Sequence, residues 1–373
     1  MALPLEGLKV LDLSRLLPGP YATLVLADLG ATVDKLEDPN GGDYLRSMGP
    51  GKGDDSALFL GLNRNKRSAT LDLKSAEGPA TLKRLVKQYD VLVESFRPGV
   101  MDKLGVGYEA LKAENPRLVY CAITGYGQTG PDRLKAGHDL NYIARSGALA
   151  YGGEAGGAPA FPGVQVGDIG GGSLFALVGI LAALHERQRT GLGRLVDVSM
   201  TDGSVAFLHM HLAARLAMGT DSGPLQRGTQ TLNGGLPCYG VYRCADGKYL
   251  AVGSLEPKFF QGLCAALGRP DLFDGAYDLG GDAKQVRSKL EAVFAEKTRD
   301  AWVAVFGTLD VCVEPVLEGD EVLQDPQLLA RGMFFEANGL MQVRTPLQFG
   351  PIPQAPAPKL GEHTKEILDS PPR

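Results

Sequence analysis

Two titratable side chains, His138 and Asp168, lie thirty positions apart, each set among glycines. The first is in Gly137-His138-Asp139-Leu140-Asn141-Tyr142 and the second in Val166-Gly167-Asp168-Ile169-Gly170-Gly171-Gly172. An imidazole and a carboxylate facing each other across a substrate can take a proton from a carbon beside a carbonyl and return one from the other side. Their unperturbed pKa values, about 6.5 and 3.9, converge if burial against an apolar group raises the carboxyl. The glycines would let backbone approach a ligand closely. Leu174, Leu177, Val178, Leu181 and Leu184 then recur at spacings of three and four, so a helix follows and Asp168 stands just before its N-terminus. Free N–H groups at such a start favour negative charge and would serve as oxyanion donors. On the residues alone, His138 bonding a polar loop and Asp168 capping the helix are equally open.

These residues need elements to position them. A buried strand is read at 9–13, a helix at 21–29 behind Pro18-Gly19-Pro20, a left-handed cap at Gly30, and a second strand at 32–36. That βαβ start implies a parallel sheet. No Gly-x-Gly-x-x-Gly follows the first strand, which argues against a nicotinamide dehydrogenase. Strands at 68–73, 90–94, 118–124 and 195–199 extend the sheet, with helices at 76–88, 173–190 and 201–218, the last read with little exposed surface. The strand at 118–124 delivers the chain to the His138 stretch, on the side of the sheet where α/β proteins bind ligands. A hairpin at 239–243 and 249–253, helices at 258–267, 285–297 and 300–309, and a strand at 311–316 make a smaller α+β part. The fold class is α/β. The domain reading is 1–218 plus 325–373 as the large domain, 219–235 as a linker and 236–324 as the small domain. The tail is read as short strands returning to the large domain.

The 373 residues carry 44% apolar and 22% charged side chains and a net charge of −5, which argues against a nucleic-acid partner. Cys121, Cys238, Cys244, Cys264 and Cys312 show no ligand spacing and fit a reducing compartment. His209 and His211 point apart on a helix, so no metal is expected. No secretory leader and no apolar run of about eighteen residues is read, so the expectation is a cytoplasmic protein with no membrane span.

Taken together, Pro18-Gly19-Pro20, Leu26-Ala27-Asp28-Leu29-Gly30-Ala31, Ala69-Thr70-Leu71-Asp72-Leu73-Lys74, Phe96-Arg97-Pro98-Gly99 and the two glycine-rich stretches resemble the type III CoA-transferase (CaiB/BaiF) family, in its α-methylacyl-CoA racemase branch. The resemblance implies a Rossmann-like large domain, a small domain and an interlocked homodimer with the active site between subunits. It implies an acyl-CoA substrate and no cofactor beyond the CoA which that substrate carries. Transferases of the family use the aspartate matching Asp168 as a nucleophile that forms a mixed anhydride; racemases pair it with the histidine matching His138. Glu256 matches a racemase glutamate that bonds the histidine, competing with a plain helix-start role. Positions matching the CoA site are Leu71, Asp72, Leu73, Lys74, Ser95, Phe96, Arg97, Lys103, Gly137, Asp139, Leu140, Asn141 and Tyr142. Asp38 departs from the family by standing where relatives often have an arginine near the adenosine phosphate, and Val164 where they often have asparagine. The implied reaction is interconversion of (R)- and (S)-2-methylacyl-CoA thioesters; the alternative is CoA transfer between carboxylic acids.

Overall fold

Side chains along the central strands alternate between two buried faces, as the period of two in a strand requires. Val10, Val91, Val93, Val119, Cys121 and Ile123 fill one core cluster, while Leu11, Leu92, Tyr120 and Ala122 fill another. A sheet buried on both faces has helices on both faces, and the computed structural model, which describes residues 2–52, 55–222, 226–279 and 281–370, has that arrangement.

Six strands, β1 (Lys9–Asp12), β2 (Thr32–Glu37), β3 (Lys66–Thr70), β4 (Val91–Glu94), β5 (Val119–Thr124) and β6 (Leu195–Ser199), form one parallel sheet in the order β3-β2-β1-β4-β5-β6. This is the order of doubly wound nucleotide-binding sheets, with the switch point between β1 and β4. Val10 is paired with both Val33 and Val91 there. Helix α1 (Pro18–Asp28) starts on a proline at its first turn. It ends where Gly30 (φ 102°) donates to the Ala27 carbonyl and Ala31 to the Leu26 carbonyl, the double bond of a Schellman cap. Helices α2 (Gly78–Leu85), α3 (Tyr108–Glu114), α4 (Asp139–Ser146), α5 (Phe175–Thr190) and α6 (Met200–Ala206) complete the sheet's layers.

The chain divides into two compact units, 1–146 with 164–207 and 326–373, and 147–163 with 208–325. The second unit takes 147–163 and begins at 208, so the stretch read as a linker at 219–235 belongs inside it; residues 223–225 of that stretch lie outside the described residues. It holds helix α7 (His209–Met218), strands β7 (Tyr239–Arg243), β8 (Tyr249–Gly253) and β9 (Val313–Pro315) in the antiparallel order β9-β8-β7, and helices α8 (Pro257–Ala266), α9 (Gly281–Phe294) and α10 (Arg299–Phe306). Its core centres on Tyr242, Phe260, Phe294 and Trp302, whose indole N–H donates to the Phe294 carbonyl at 2.9 Å.

Three expectations are corrected. The helix read at 201–218 breaks at Phe207 and Leu208, and α7 buries none of its residues: Met210, Leu216 and Met218 are exposed. Its apolar residues mark a face left bare rather than a buried one. The tail is more than short strands. After the hairpin of β10 (Phe334–Ala337) and β11 (Leu340–Val343) it ends in α11 (Thr364–Leu368), where His363 N–H donates to the Ser68 carbonyl and Ile367 is buried. Finally, Val166–Thr190 is one continuous helical run of 25 residues whose most apolar 18-residue stretch has a mean hydropathy of 1.7, long and apolar enough to cross a bilayer by length and composition alone. Its glycines and Ser173 do not interrupt it; 44% of its most apolar stretch is buried inside the protein.

Candidate active site

Strand β5 hands the chain to a loop that ends at the start of α4, and that start is tied down by its own side chains. Asn141 Oδ1 accepts the His138 N–H at 3.0 Å, and the Tyr142 hydroxyl donates to the Gly137 carbonyl. Tyr142 is buried edge-on against Tyr126, with ring centroids 5.4 Å apart. An added Cβ at Gly137 would run into the Tyr142 ring at 2.7 Å, so the loop carrying His138 is shaped by a close approach that only glycine permits. The imidazole itself is left exposed.

Asp168 is the third residue of a nine-residue π-helical turn, Val166–Leu174, rather than the residue before a regular helix. Such turns are rare and gather at functional sites. The turn is anchored by the Ser173 hydroxyl, which donates to the Pro18 carbonyl at 2.6 Å. The glycines serve a different purpose from the one read in the sequence. Gly171 is buried, and a Cβ there would strike the Met200 carbonyl and Ser204. Gly171 thus admits neighbouring backbone, while Gly170 and Gly172 sit against the Phe207 ring and the Met200 and Pro18 side chains. Two of the N–H groups read as oxyanion donors are also taken: Asp168 N–H donates to Asp139 Oδ1 at 2.8 Å, and Ile169 N–H to the Gln165 carbonyl at 3.0 Å.

The electrostatics suit proton transfer. Burial first, and then the negative charge of Asp139, push the Asp168 carboxyl up to about 6, against an opposing pull from His138. His138 is therefore near enough for its charge to act on Asp168. The Tyr142 phenol is raised too, by burial and by Asp168, with Arg97 pulling the other way. His138, Asp139, Tyr142 and Asp168 thus interact as one cluster.

The remaining residues read from the sequence fall at strand ends. Leu71 N–H donates to the Glu37 carbonyl, Leu71 and Leu73 pack on the core, and Asp72 is used up in a turn, accepting the Lys74 N–H at 2.8 Å. Lys74, Arg97 and Lys103 are exposed cations, and Leu140 is exposed on α4. Ser95 Oγ accepts the Arg15 N–H, and the Phe96 ring lies 5.2 Å from the Arg15 guanidinium carbon. Asp38 turns the chain after β2 by accepting the Asn40 N–H at 2.9 Å. Glu256 belongs to the second unit, at the N-cap of α8, exposed and with no side-chain bond to that helix.

The chain resembles known proteins along nearly its whole length. The model of CoA-transferase family III matches residues 5–364. The chain belongs to CoA-transferase family III. It is 40% identical over 372 residues to human α-methylacyl-CoA racemase, covering 98% of this chain and 92% of that one. It is also 36% identical to mouse succinyl-CoA:glutarate CoA-transferase, covering 98% and 86%. A crystal structure of a CaiB/BaiF family protein from Brucella suis superposes with a TM-score of 0.85 at 34% identity, covering 99% of each chain.

Two features of this family III chain were not read from its sequence. Arg15, directly after β1 at the switch point, lies between Tyr44 and Phe96 and donates to the Tyr44 hydroxyl at 3.0 Å. Its place at a strand's carboxyl end was the available signal. Beneath that loop, buried Lys35 reaches the Ser14 carbonyl at 2.8 Å and Asp43 at 3.0 Å, while buried Lys66 pairs with Asp12 at 3.2 Å. Burial works against the Asp12 charge, but the two ammonium groups prevail and hold its carboxyl well below the usual range. Nothing in an apolar strand pattern announces a lysine held inside it.

Proposed function

We propose that this protein interconverts (R)- and (S)-2-methylacyl-CoA thioesters by 1,1-proton transfer through an enolate. The observation that carries this reading is the interacting pair His138 and Asp168, with the carboxyl raised to about 6. A carboxyl raised that far is readily protonated near neutral pH, so it can act as the acid in one direction and as the base in the other. In one direction the neutral imidazole takes the α-proton while the protonated carboxyl delivers its own to the opposite face. In the other direction the roles reverse. Proton count and charge balance in both. Family likeness supports the histidine's role, since the human relative named as a racemase is 40% identical.

The enolate oxygen needs donors. With the Asp168 and Ile169 N–H groups engaged, and those of Asn141 and Tyr142 donating to the His138 carbonyl, the Asp139 and Leu140 N–H groups at the start of α4 are the better source. Lys74, Arg97 and Lys103 would meet the CoA phosphates, with Ser95, Phe96 and Arg15 lining the switch point. No further cofactor enters this scheme. The bare apolar side chains of α7 (Met210, Leu216, Met218) fit a surface covered by a second copy of the chain, and Glu256 would bond the histidine in that homodimer.

A second reading, CoA transfer between two carboxylic acids with Asp168 as nucleophile, is favoured by the 36% identity to a relative named as a CoA-transferase. Exchange of the α-hydrogen of a 2-methylacyl-CoA with D₂O separates the two. The racemase reading requires label wash-in that depends on His138. The transferase reading requires a hydroxylamine-trappable acyl adduct on Asp168 and tolerance of His138→Ala.

A further inference from the structure

The two candidate acid/base groups belong to different segments, and among the described residues one side-chain bond joins the residue after His138 to Asp168 itself. Asp139, the first residue of α4, directs Oδ1 at the Asp168 N–H, 2.8 Å away. The same oxygen lies 3.1 Å from where a Cβ on Gly167 would stand, so the Gly167–Asp168 peptide is seated directly on the carboxylate. Position 167 is buried, and a side chain there would press on that oxygen. Since Asn141 fixes the His138 N–H from the same turn, both segments are referenced to one short piece of α4.

Resting on the racemase reading above, we propose that Asp139 is a positioning residue for the acid/base pair, holding the Asp168 carboxyl at a fixed place relative to His138 through the Asp168 N–H. The carboxylate also acts by charge. An anion beside Asp168 favours the protonated form of that neighbour. Among the described residues, the charges acting on the Asp168 carboxyl are Asp139 and His138, and the Tyr142 phenol faces it from the same helix. Asp139 is the group that raises, and His138 the group that lowers.

Two variants separate the roles. Asp139→Asn keeps an acceptor oxygen but removes the charge; Asp139→Ala removes both. In the Asn variant the midpoint of Asp168 protonation falls by about one unit, and the pH profile of kcat for α-proton exchange moves down with it. That midpoint is read from the ¹³C carboxyl shift of labelled aspartate, assigned by its loss in Asp168→Asn. In the Ala variant kcat falls roughly 10- to 100-fold with KM little changed. An Asn variant with an unmoved Asp168 midpoint, or an Ala variant with wild-type kcat, overturns the proposal. If the Ala variant does not fold, the Asn variant decides alone. The carboxyl titration needs no turnover, so an enzyme without exchange activity refutes the racemase reading while Asp139 is still tested.

Discussion

Asp28, at the last position of α1, accepts a hydrogen bond from Arg64 Nη2 at 2.6 Å, with both side chains almost wholly buried. Asn65 and Thr345 donate to the same carboxylate at 2.8 and 2.9 Å. One carboxylate therefore joins the first helix, the loop before β3 and the returning tail. Removing it strands a buried guanidinium, so Asp28→Ala should lose roughly 3–5 kcal/mol of unfolding free energy in urea. A loss under about 1 kcal/mol would show that the tail docks without this ion pair.

Glu94 ends β4 as a buried carboxyl that accepts the Phe96 N–H at 2.6 Å, and burial pushes it up to about 8. Its folded pKa is above its unfolded one, so the folded state holds the proton more tightly. Stability is lost as pH rises from about 4.5 to about 8, then levels off. Glu94→Gln should therefore match wild type at pH 4 and melt higher at pH 8. Parallel loss of Tm with pH in both proteins would contradict this.

The same sign applies to Asp168, whose pKa is raised from 3.8 to about 6. Its charged form costs stability that accumulates across that window. Asp168→Asn should abolish activity yet be more stable than wild type at pH 8, on the order of 1–3 kcal/mol, with no difference below pH 4. A destabilised, inactive variant would assign Asp168 a structural role instead.

Gly171→Ala tests the turn that holds Asp168. The added methyl would meet the Met200 carbonyl and Ser204, and no flexible side chain can yield there. A loss of roughly 1–3 kcal/mol is expected, with activity falling further than stability. Unchanged thermal unfolding would show that the turn relaxes freely.

Strands were the most legible part of the chain. The hairpin of β7 and β8 and the strand β6 lie where period-two apolar patterning and the Ala245-Asp246-Gly247 turn put them. Both faces of the main sheet are buried, so β1, β4 and β5 read as mostly apolar runs, whereas β2 and β3 carry buried charged residues such as Lys35 and Lys66. The π-helical turn was not legible, because glycine spacing does not distinguish backbone approached by ligand from backbone approached by Gly203. Helix α7 misled for a related reason: apolar periodicity reports a face that seeks cover, without saying what covers it. His138 and Asp168 stood out as chemistry-bearing types among glycines. Asp139's bond to the Asp168 backbone depends on tertiary contact between segments 29 residues apart, beyond the reach of local pattern.

The most direct test is deuterium incorporation at C2 of a 2-methylacyl-CoA in D₂O, measured by mass spectrometry with wild type, His138→Ala and Asp168→Asn. Wild type should wash in label from either enantiomer, and each variant should lose the exchange by roughly 10²- to 10⁴-fold while staying folded. Wild type that incorporates no label, or His138→Ala that exchanges at the full rate, would contradict proton transfer between these two groups.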